Sequence, residues 1–485
     1  MIGRRCQVFL KLFRKPKVAR VDVILQLSAK DEWRMRDSFE GVQIFGGSGS
    51  GKTSGPGAML ARSYLRHGYG GLVLTTKIDE LHLWQRYCQL TGRESDLLIV
   101  APDQPWRFNF LDYECTRSGP GAGDTENLVR LFLTLLEATD PSKGGGSNDK
   151  FFERGASTLL RNTIDLLKMA GQQLTMRAIF QVITSAPIDA DQISEAGWQR
   201  QSYCFECLTK AHQSAGQHAD YVMVENFWLA DYPNQDPRTR ANVTQTFTTM
   251  ADAFCRGHLR ELFGTDLNFT PEDSFQGRII ILAMPSKEYG FTGRICQILF
   301  KYIWQAACER RDININPRPV FLWCDEAQEM IVSTDALFQA TARSARVATV
   351  YLTQSLSAYH DRLGGGASAE AQTESLLGNL GTKIMAANSC TKTNEWLEKL
   401  INREWTYRAH TSVSHDNKHD GNHSSQSSGV NPSLESQILA SQMTQLKRGG
   451  PENQYQVQAL VFQTGRQFHM TGQPWMFVSF DQRAI

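Results

Sequence analysis

Two short motifs of this chain combine the residue types and the spacing needed to bind and hydrolyse a nucleotide. The first is Gly46-Gly-Ser-Gly-Ser-Gly-Lys-Thr53, which fits the pattern G-x4-G-K-S/T and follows the apolar run Gly41–Phe45. Its glycines let successive N–H groups turn toward phosphate oxygens, and the following helix adds the positive end of its dipole. We expect Lys52 to reach the β- and γ-phosphates of ATP and the Thr53 hydroxyl to coordinate Mg²⁺. The residues predicted to bind ATP are Gly46, Gly47, Ser48, Gly49, Ser50, Gly51, Lys52 and Thr53.

The second motif is Val320-Phe-Leu-Trp-Cys-Asp-Glu326, an apolar run that ends in two acids. The run predicts a buried central strand, and its C-terminal end is where ligands bind in open α/β sheets. We expect Asp325 to hold Mg²⁺ through water and Glu326 to orient and polarise the attacking water as the catalytic base. Together with the phosphate loop, this acid pair favours hydrolysis over nucleotide binding alone.

Three side chains further along the chain are candidates for sensing the γ-phosphate. Gln354 follows the next apolar run, where its amide can reach both the γ-phosphate and the attacking water. Arg343 and Arg346 end a predicted helix just before that run, and either could act as an arginine finger on a neighbouring subunit. The alternative is that these arginines only stabilise the C-terminal end of their helix.

The pattern of strands and helices around these motifs predicts an α/β nucleotide-binding domain with an inserted all-α domain. Short apolar runs alternate with helical patterns before and after a long, purely helical stretch, which indicates a parallel sheet with crossover connections. We divide the chain into a basic N-terminal arm (1–36), the first part of the nucleotide-binding domain (37–124), the helical insertion (125–264, whose later helices can pack on the core), the second part of that domain (265–405), and a polar loop with a closing strand pair (406–485).

Composition restricts the kind of partner. The chain has 485 residues and a formal charge of +1, so any contact with DNA needs a local basic surface. The basic residues before the first acid are Arg4, Arg5, Lys11, Arg14, Lys15, Lys17 and Arg20. They predict either an arm that touches nucleic acid or anionic lipid, or a frayed terminus. We find no long apolar run and no secretory signal, which predicts a soluble, cytoplasmic protein with reduced cysteines.

Two stretches carry residue types that ligate metals. Cys204 and Cys207, followed by His212 and His218, have some likeness to a zinc knuckle, but the surrounding pattern favours cysteines packed in a helix. The histidines from His410 to His423 overlap the polar stretch Ser412–Val430, which we predict to be a flexible loop. The sequence leaves metal binding open at both places.

The motifs and their order resemble the type IV secretion coupling proteins, which are conjugative DNA-transfer ATPases of the FtsK–HerA group of P-loop motors. The resemblance covers about residues 41–402. Besides the phosphate loop and Leu352–Ser355, it rests on the stretches Gly70–Lys77, Arg318–Ala327 and Thr341–Arg346.

This resemblance implies a RecA-like core in a hexameric ring, with ATP bound between subunits and DNA, single- or double-stranded, in the central channel. Arg343 stands where the family's trans-acting arginine lies, 18 positions after Asp325, which ranks it above Arg346. The helical insertion would contact a partner or DNA at one face of the ring. Many coupling proteins also carry N-terminal transmembrane helices. Their absence here suggests recruitment to the inner membrane by a partner or a role within the cytoplasm.

Three functions follow from these observations. The first is an ATP-driven DNA translocase that works with a secretion channel or a relaxase. The second is an adaptor that recruits protein cargo and uses ATP as an assembly switch, which the polar stretch and the large insertion favour. The third is a HerA-like motor that works with a nuclease.

Overall fold

The computed structural model describes residues 22–139, 147–216, 218–416 and 423–483. The predicted basic residues from Arg4 to Arg20 lie outside these ranges, as does His419 of the histidine-containing stretch. Among the helices of the described ranges, none combines the length and the apolar character that crossing a bilayer requires.

The strands are β1 (Val23–Gln26), β2 (Glu32–Arg34), β3 (Val42–Phe45), β4 (Gly70–Leu74), β5 (Leu97–Val100), β6 (Ile279–Leu282), β7 (Val320–Asp325), β8 (Val347–Thr353), β9 (Thr382–Met385), β10 (Arg403–Asp416), β11 (His423–Ser436), β12 (Gln456–Gln463) and β13 (Trp475–Asp481).

The helices are α1 (Met35–Ser38), α2 (Ala58–Arg66), α3 (Ile78–Thr91), α4 (Phe110–Thr116), α5 (Thr125–Thr139), α6 (Ser147–Met169), α7 (Met176–Thr184), α8 (Ala190–Ile193), α9 (Ala196–Gln201), α10 (Tyr203–Ala215), α11 (Ala219–Asn226), α12 (Pro237–Phe254), α13 (Gly257–Phe263), α14 (Ser286–Arg310), α15 (Thr334–Ala342), α16 (Leu356–Arg362), α17 (Gly366–Asn379) and α18 (Thr391–Ile401).

A single large sheet organises the chain. Its strands run in the order β13-β12-β9-β3-β8-β7-β4-β6-β5. All strands from β9 to β5 in this order are parallel, whereas β12 and β13 extend the sheet as antiparallel strands. The predicted α/β class is therefore confirmed. Because neighbouring parallel strands end at the same edge, the residues after β3, β8, β7 and β4 meet there.

Side chains of the central strands alternate between two hydrophobic clusters. On β7, Leu322 and Cys324 contribute to the cluster shared with the long helices, and Phe321 and Trp323 to the cluster around α2 and α3. A parallel sheet covered by helices on both faces produces this pattern of continuously apolar strands. It explains why the apolar run before Asp325 marks a buried strand so clearly.

The helices α5 to α13 follow one another without an intervening strand in the described part of residues 125–263. Both α5 and α13 pack against α14, which returns the chain to the sheet. Below the acid pair, the buried Lys301 of α14 forms an ion pair with Asp335 of α15. The Tyr351 hydroxyl of β8 also donates to the Asp335 carboxylate, at 3.2 Å between oxygens. This network fixes the helices behind β7 and β8.

The described part of the predicted arm 1–36 is folded, which corrects that boundary. β1 and β2 form an antiparallel hairpin, and α1 follows directly. The Trp33 side chain is buried against Tyr64 of α2, with 6.4 Å between ring centroids. These strands are too short to show an alternating pattern, so the excess of basic residues before them dominated the sequence prediction.

The prediction of a flexible loop over Ser412–Val430 was also wrong for its described residues, 412–416 and 423–430, which are strand. β10 and β11 form an antiparallel hairpin that is paired from Arg403–Ser436 to Asp416–His423. Trp405, Tyr407 and Val413 alternate along β10 on one face and are exposed. The described side chains of β10, from Arg403 to Val413, are exposed or half-buried. The polar residues therefore obscured an alternation that was present in the sequence.

Candidate nucleotide site

The phosphate loop joins β3 to α2 in the predicted strand–loop–helix arrangement. Gly51 has a φ of 82°, a backbone conformation that favours glycine. A Cβ atom there would lie 2.6 Å from Val457 Cγ2 and 2.7 Å from the carbonyl oxygen of Arg448. The loop is therefore packed tightly against the segment that leads into β12. A π-helical turn, Thr53–Gly57, connects it to α2.

The two predicted magnesium ligands meet. The Thr53 hydroxyl donates to the Asp325 carboxylate, at 2.6 Å between Oγ1 and Oδ2. Thr53 follows β3 and Asp325 ends β7, and the two strands are separated by β8 alone. The Thr76 hydroxyl donates to the Asp325 carbonyl oxygen at 3.2 Å and holds the backbone of the acid pair. A hydroxyl and a carboxylate beside a phosphate loop are the hard oxygen ligands that Mg²⁺ prefers, so the donor set fits Mg-ATP.

Glu326 is the most constrained side chain of the site. It is 5% exposed and has a φ of 53°, which is unusual for a residue other than glycine. Its Oε1 lies 3.8 Å from the Lys52 ammonium and 3.2 Å from that of Lys77. Non-glycine residues in the left-handed region are concentrated at functional sites, where the surrounding structure holds them in place.

Two amides also point at the Glu326 carboxylate. The Gln328 amide donates to Oε2 at 3.0 Å, and the Gln354 amide lies 3.3 Å from Oε1. Burial alone would raise the pKa of Glu326, but the charge of Lys52, the Gln328 amide and Lys77 together lower it to about 2. The carboxylate is therefore ionised at neutral pH.

A second buried acid lies behind this pair. Glu80, on α3, is 8% exposed, and one of its carboxylate oxygens accepts from the Thr76 backbone N–H at 2.9 Å. Burial, and next the charge of Asp325, raise the pKa of Glu80 to about 8. Glu80 is therefore protonated at neutral pH, in contrast to Glu326.

Three further residues of the site were not predicted from the sequence: Lys77, Glu80 and Gln328. Lys77 and Glu80 follow β4, which lies beside β7 in the sheet. A polar Thr-Thr-Lys at the end of an apolar run was the available signal. Its value depends on knowing that β4 and β7 are neighbours, which the sequence did not show.

The phosphate loop and Glu326 line a cleft with a volume of about 750 Å³. One wall comes from α3, through Leu83, Tyr87 and Leu90, and the opposite end comes from the C-terminal segment, through Tyr455 and Arg483. The cleft is large enough for a nucleotide, since typical small-molecule sites span roughly 300–1,000 Å³.

Arg343 lies away from this cleft. It follows α15 and precedes β8, so it lies at the amino edge of the sheet, opposite the phosphate loop. Its side chain is 72% exposed, with 3.5 Å between its guanidinium and the Glu40 carboxylate. Arg346 instead donates to the Pro317 carbonyl oxygen at 3.0 Å. Neither arginine reaches the γ-phosphate end of its own chain.

The cysteine-based metal site gains no support. Cys204 and Cys207 are buried on α10, where burial raises the pKa of both thiols. Across the described ranges, no group of three or more His, Cys, Asp or Glu side chains is arranged to hold a metal ion.

Residues 319–448, which include β7 to β11, match the family model described as the TraM recognition site of TraD and TraG. The fold is similar to that of the bacterial conjugative coupling protein TrwBdeltaN70 in its unbound form. The TM-score is 0.62 at 13% identity, over 94% of this chain and 87% of that chain. The resemblance to the coupling proteins is confirmed.

Two further structures of that coupling protein share the fold. TrwB in complex with ADP and Mg²⁺ has a TM-score of 0.60 at 13% identity, over 94% of this chain and 88% of that chain. TrwB with a GTP analogue has a TM-score of 0.60 at 14% identity, over 94% and 89%. No curated protein matches the chain at a significant level. The matched segment 319–448 of this chain contains Asp325, Glu326, Arg343 and Gln354.

Proposed function

We propose that this chain is an ATP-hydrolysing DNA translocase of the conjugative coupling-protein type. It would move DNA or nucleoprotein through a ring of its own subunits. The observation that carries the proposal is the position of the Glu326 carboxylate, which lies between Lys52, Lys77 and the Gln354 amide at one end of a nucleotide-sized cleft.

Mg-ATP would replace two contacts of the site. Lys52 would turn from Glu326 to the phosphates, and Thr53 and Asp325, now in contact with each other, would both hold Mg²⁺. When bound, Mg²⁺ neutralises charge on the β- and γ-phosphates. Released from Lys52, Glu326 faces the γ-phosphate with the Lys77 and Gln354 contacts still available.

The reaction uses side chains that already converge. Glu326 accepts a proton from water as the water oxygen attacks the γ-phosphorus. The bond from the γ-phosphorus to the bridging oxygen breaks, and ADP and phosphate leave. Gln354, whose backbone carbonyl oxygen accepts from the Asn388 side-chain amide at 2.9 Å, would report loss of the γ-phosphate to the segment after β9.

A ring of subunits would complete the site. Arg343 is exposed at the sheet edge opposite its own cleft, as an arginine that serves the neighbouring subunit must be. Its contact with Glu40 holds it until a neighbouring γ-phosphate offers a stronger partner. We assign the oligomer as a hexamer by resemblance to the family.

DNA as the moving substrate rests on the coupling-protein fold and on the matched segment. The description of that segment as a TraM recognition site supports a protein partner for residues 319–448, with a relaxase, a secretion channel or a nuclease as further candidates. The same match favours the second candidate, an adaptor for protein cargo with ATP as its switch.

Steady-state ATP hydrolysis with single-stranded DNA, with double-stranded DNA and without DNA tests the proposal, with Glu326→Gln as the blank. A translocase is expected to be stimulated at least several-fold by one form of DNA, and that form identifies its track. Hydrolysis indifferent to both forms would overturn the translocase and favour the adaptor.

A further inference from the structure

The nucleotide cleft extends beyond the phosphate loop to a wall formed by the residues that flank the C-terminal strand pair, β12 and β13, opposite the wall formed by α3. Tyr455 precedes β12, and Gln482 and Arg483 follow β13. Because β12 is antiparallel to β9, and Gln456 pairs with Asp481, these three residues lie at the same sheet edge as the phosphate loop. All three line the cleft.

The direction in which a nucleotide would lie follows from the sheet order. The γ-phosphate end is marked by Lys77, Glu326 and Gln354, which follow β4, β7 and β8. β3, which leads into the phosphate loop, lies between β8 and β9, and β12 is next to β9. A triphosphate that reaches Glu326 therefore directs its sugar and base toward β12, where Tyr455 stands.

Contacts between the phosphate loop and the wall support this direction. The Gln482 amide donates to the Ser54 hydroxyl at 2.6 Å, one residue after the predicted magnesium ligand Thr53. Glycine at positions 51 and 55 allows Val457 to approach, because a Cβ atom at Gly55 would lie 2.8 Å from Val457 Cβ. The C-terminal strand pair thus contacts the phosphate loop and the turn after it directly.

The backbone holds Tyr455 in an unusual conformation. Gln454 and Tyr455 have φ values of 54° and 60°, and a non-glycine residue is strained in this region. Hydrogen bonds from Tyr455 N to the Gly450 carbonyl oxygen at 2.7 Å and from Gln482 N to the Tyr455 carbonyl oxygen at 2.9 Å fix the position. The side chain is 38% exposed in the cleft.

We propose that Tyr455, with Arg483 beside it, forms a stacking subsite for the purine base of the nucleotide. The Arg483 guanidinium lies 5.1 Å from the centroid of the Tyr455 ring and forms an ion pair with Asp481 at 3.2 Å. An aromatic ring and a guanidinium both provide flat surfaces on which a base stacks. This inference rests on the proposed nucleotide binding and adds the place of the base.

The subsite recognises the flat face of a purine and not its edge. The side-chain amide of Gln482 lies in this part of the cleft, but both of its polar atoms already form hydrogen bonds. Nε2 donates to Ser54, and Oε1 accepts from the Gly450 N–H at 2.8 Å. Adenine and guanine therefore meet the same surface, and the subsite binds ATP and GTP with affinities within a few-fold of each other.

Equilibrium binding of Mg-ATP, Mg-GTP and magnesium tripolyphosphate to the full chain tests the subsite, because tripolyphosphate has no base. Because Tyr455→Ala removes the surface on which the base stacks, it is expected to weaken ATP and GTP binding about tenfold. Tripolyphosphate binding stays unchanged, and Tyr455→Phe retains nucleotide affinity. Tyr407→Ala, at an exposed tyrosine of the hairpin, is the matched control and changes none of the three.

An unchanged ATP affinity in Tyr455→Ala, or an equal loss of ATP and tripolyphosphate binding, would overturn the subsite. If the alanine variant does not fold, Tyr455→Gly removes the ring, relieves the backbone strain and is subject to the same criteria. Failure of the wild-type chain to bind tripolyphosphate would instead refute the phosphate loop itself. The two failures are thus distinguishable.

Discussion

The two ends of the nucleotide cleft are built by different means. At the phosphate end, charged and amide side chains from the ends of β3, β4, β7 and β8 satisfy one another, with Glu326 at the centre of the cluster. At the base end, the antiparallel pair β12–β13, which is close in the sheet but distant in sequence, supplies Arg483 and, on a strained backbone, Tyr455. We therefore expect the chemistry to be concentrated at the first end and the second to add binding surface.

Lys52→Ala is expected to have the largest effect because it removes the charge that both the phosphates and Glu326 need. ATP affinity should fall by at least a hundredfold and turnover to background. Binding of a fluorescent ATP analogue and phosphate release measure the two effects. Arg483→Ala, which loses a cation at the base end, is the matched control and should retain turnover at saturating ATP.

The contrast between the two ends would fail if Lys52→Ala and Arg483→Ala lost turnover to the same extent. In that case catalysis would depend on the two ends of the cleft equally. Normal hydrolysis by Lys52→Ala would refute the phosphate-loop assignment outright.

Arg343→Ala tests whether the phosphate end is completed by another subunit. An arginine finger contributes about 10³–10⁵ in turnover, so the pure variant should be nearly inactive. Mixed with the Lys52→Ala variant, it should regain part of its activity, since some interfaces then combine an intact phosphate loop with an intact arginine. Arg346→Ala serves as the control.

Phosphate release across a series of mixing ratios measures this complementation. Activity of the mixture that equals the sum of its two components would contradict a role in trans. Loss of activity in Arg346→Ala but not in Arg343→Ala would transfer the role to the second arginine.

Glu80→Gln tests the charge balance behind the acid pair and should have the smallest effect. In the nucleotide-free protein, the folded state keeps a proton on Glu80 up to about pH 8, whereas the unfolded state releases it near the ordinary value of 4.5. Stability therefore falls as pH rises from about 4.5 to about 8, by at most about 1.4 kcal/mol per pH unit from this group.

Denaturant unfolding of the wild type and of Glu80→Gln at pH 5.5 and pH 8 measures the difference. The variant should gain stability relative to the wild type at pH 8 and little at pH 5.5. An equal difference at the two pH values would show that Glu80 is already ionised in the folded state.

The phosphate end of the cleft was largely predictable from the sequence, whereas the base end was not. The phosphate loop, Asp325, Glu326 and Gln354 stand directly after apolar runs, and these runs are buried parallel strands whose ends meet. Local pattern was therefore sufficient to place them at one edge. Their roles in catalysis remain predictions.

The base end could not be predicted in this way. Tyr455 becomes a neighbour of the phosphate loop only through the antiparallel pairing of β12 with β9. Lys77 needed the pairing of β4 with β7 in the same manner. For the β10–β11 hairpin, the alternation of Trp405, Tyr407 and Val413 was a usable signal that the surrounding serines and histidines outweighed.

Glu326→Gln removes the carboxylate that we propose as the general base for ATP hydrolysis at this cleft. ATP binding and phosphate release should be measured on the same preparation, with the DNA that best stimulates the wild type. We expect the ATP affinity of Glu326→Gln to be within a few-fold of the wild type and its turnover to be lower by about 10²–10⁴. Retained turnover in Glu326→Gln would contradict the account and place the base elsewhere.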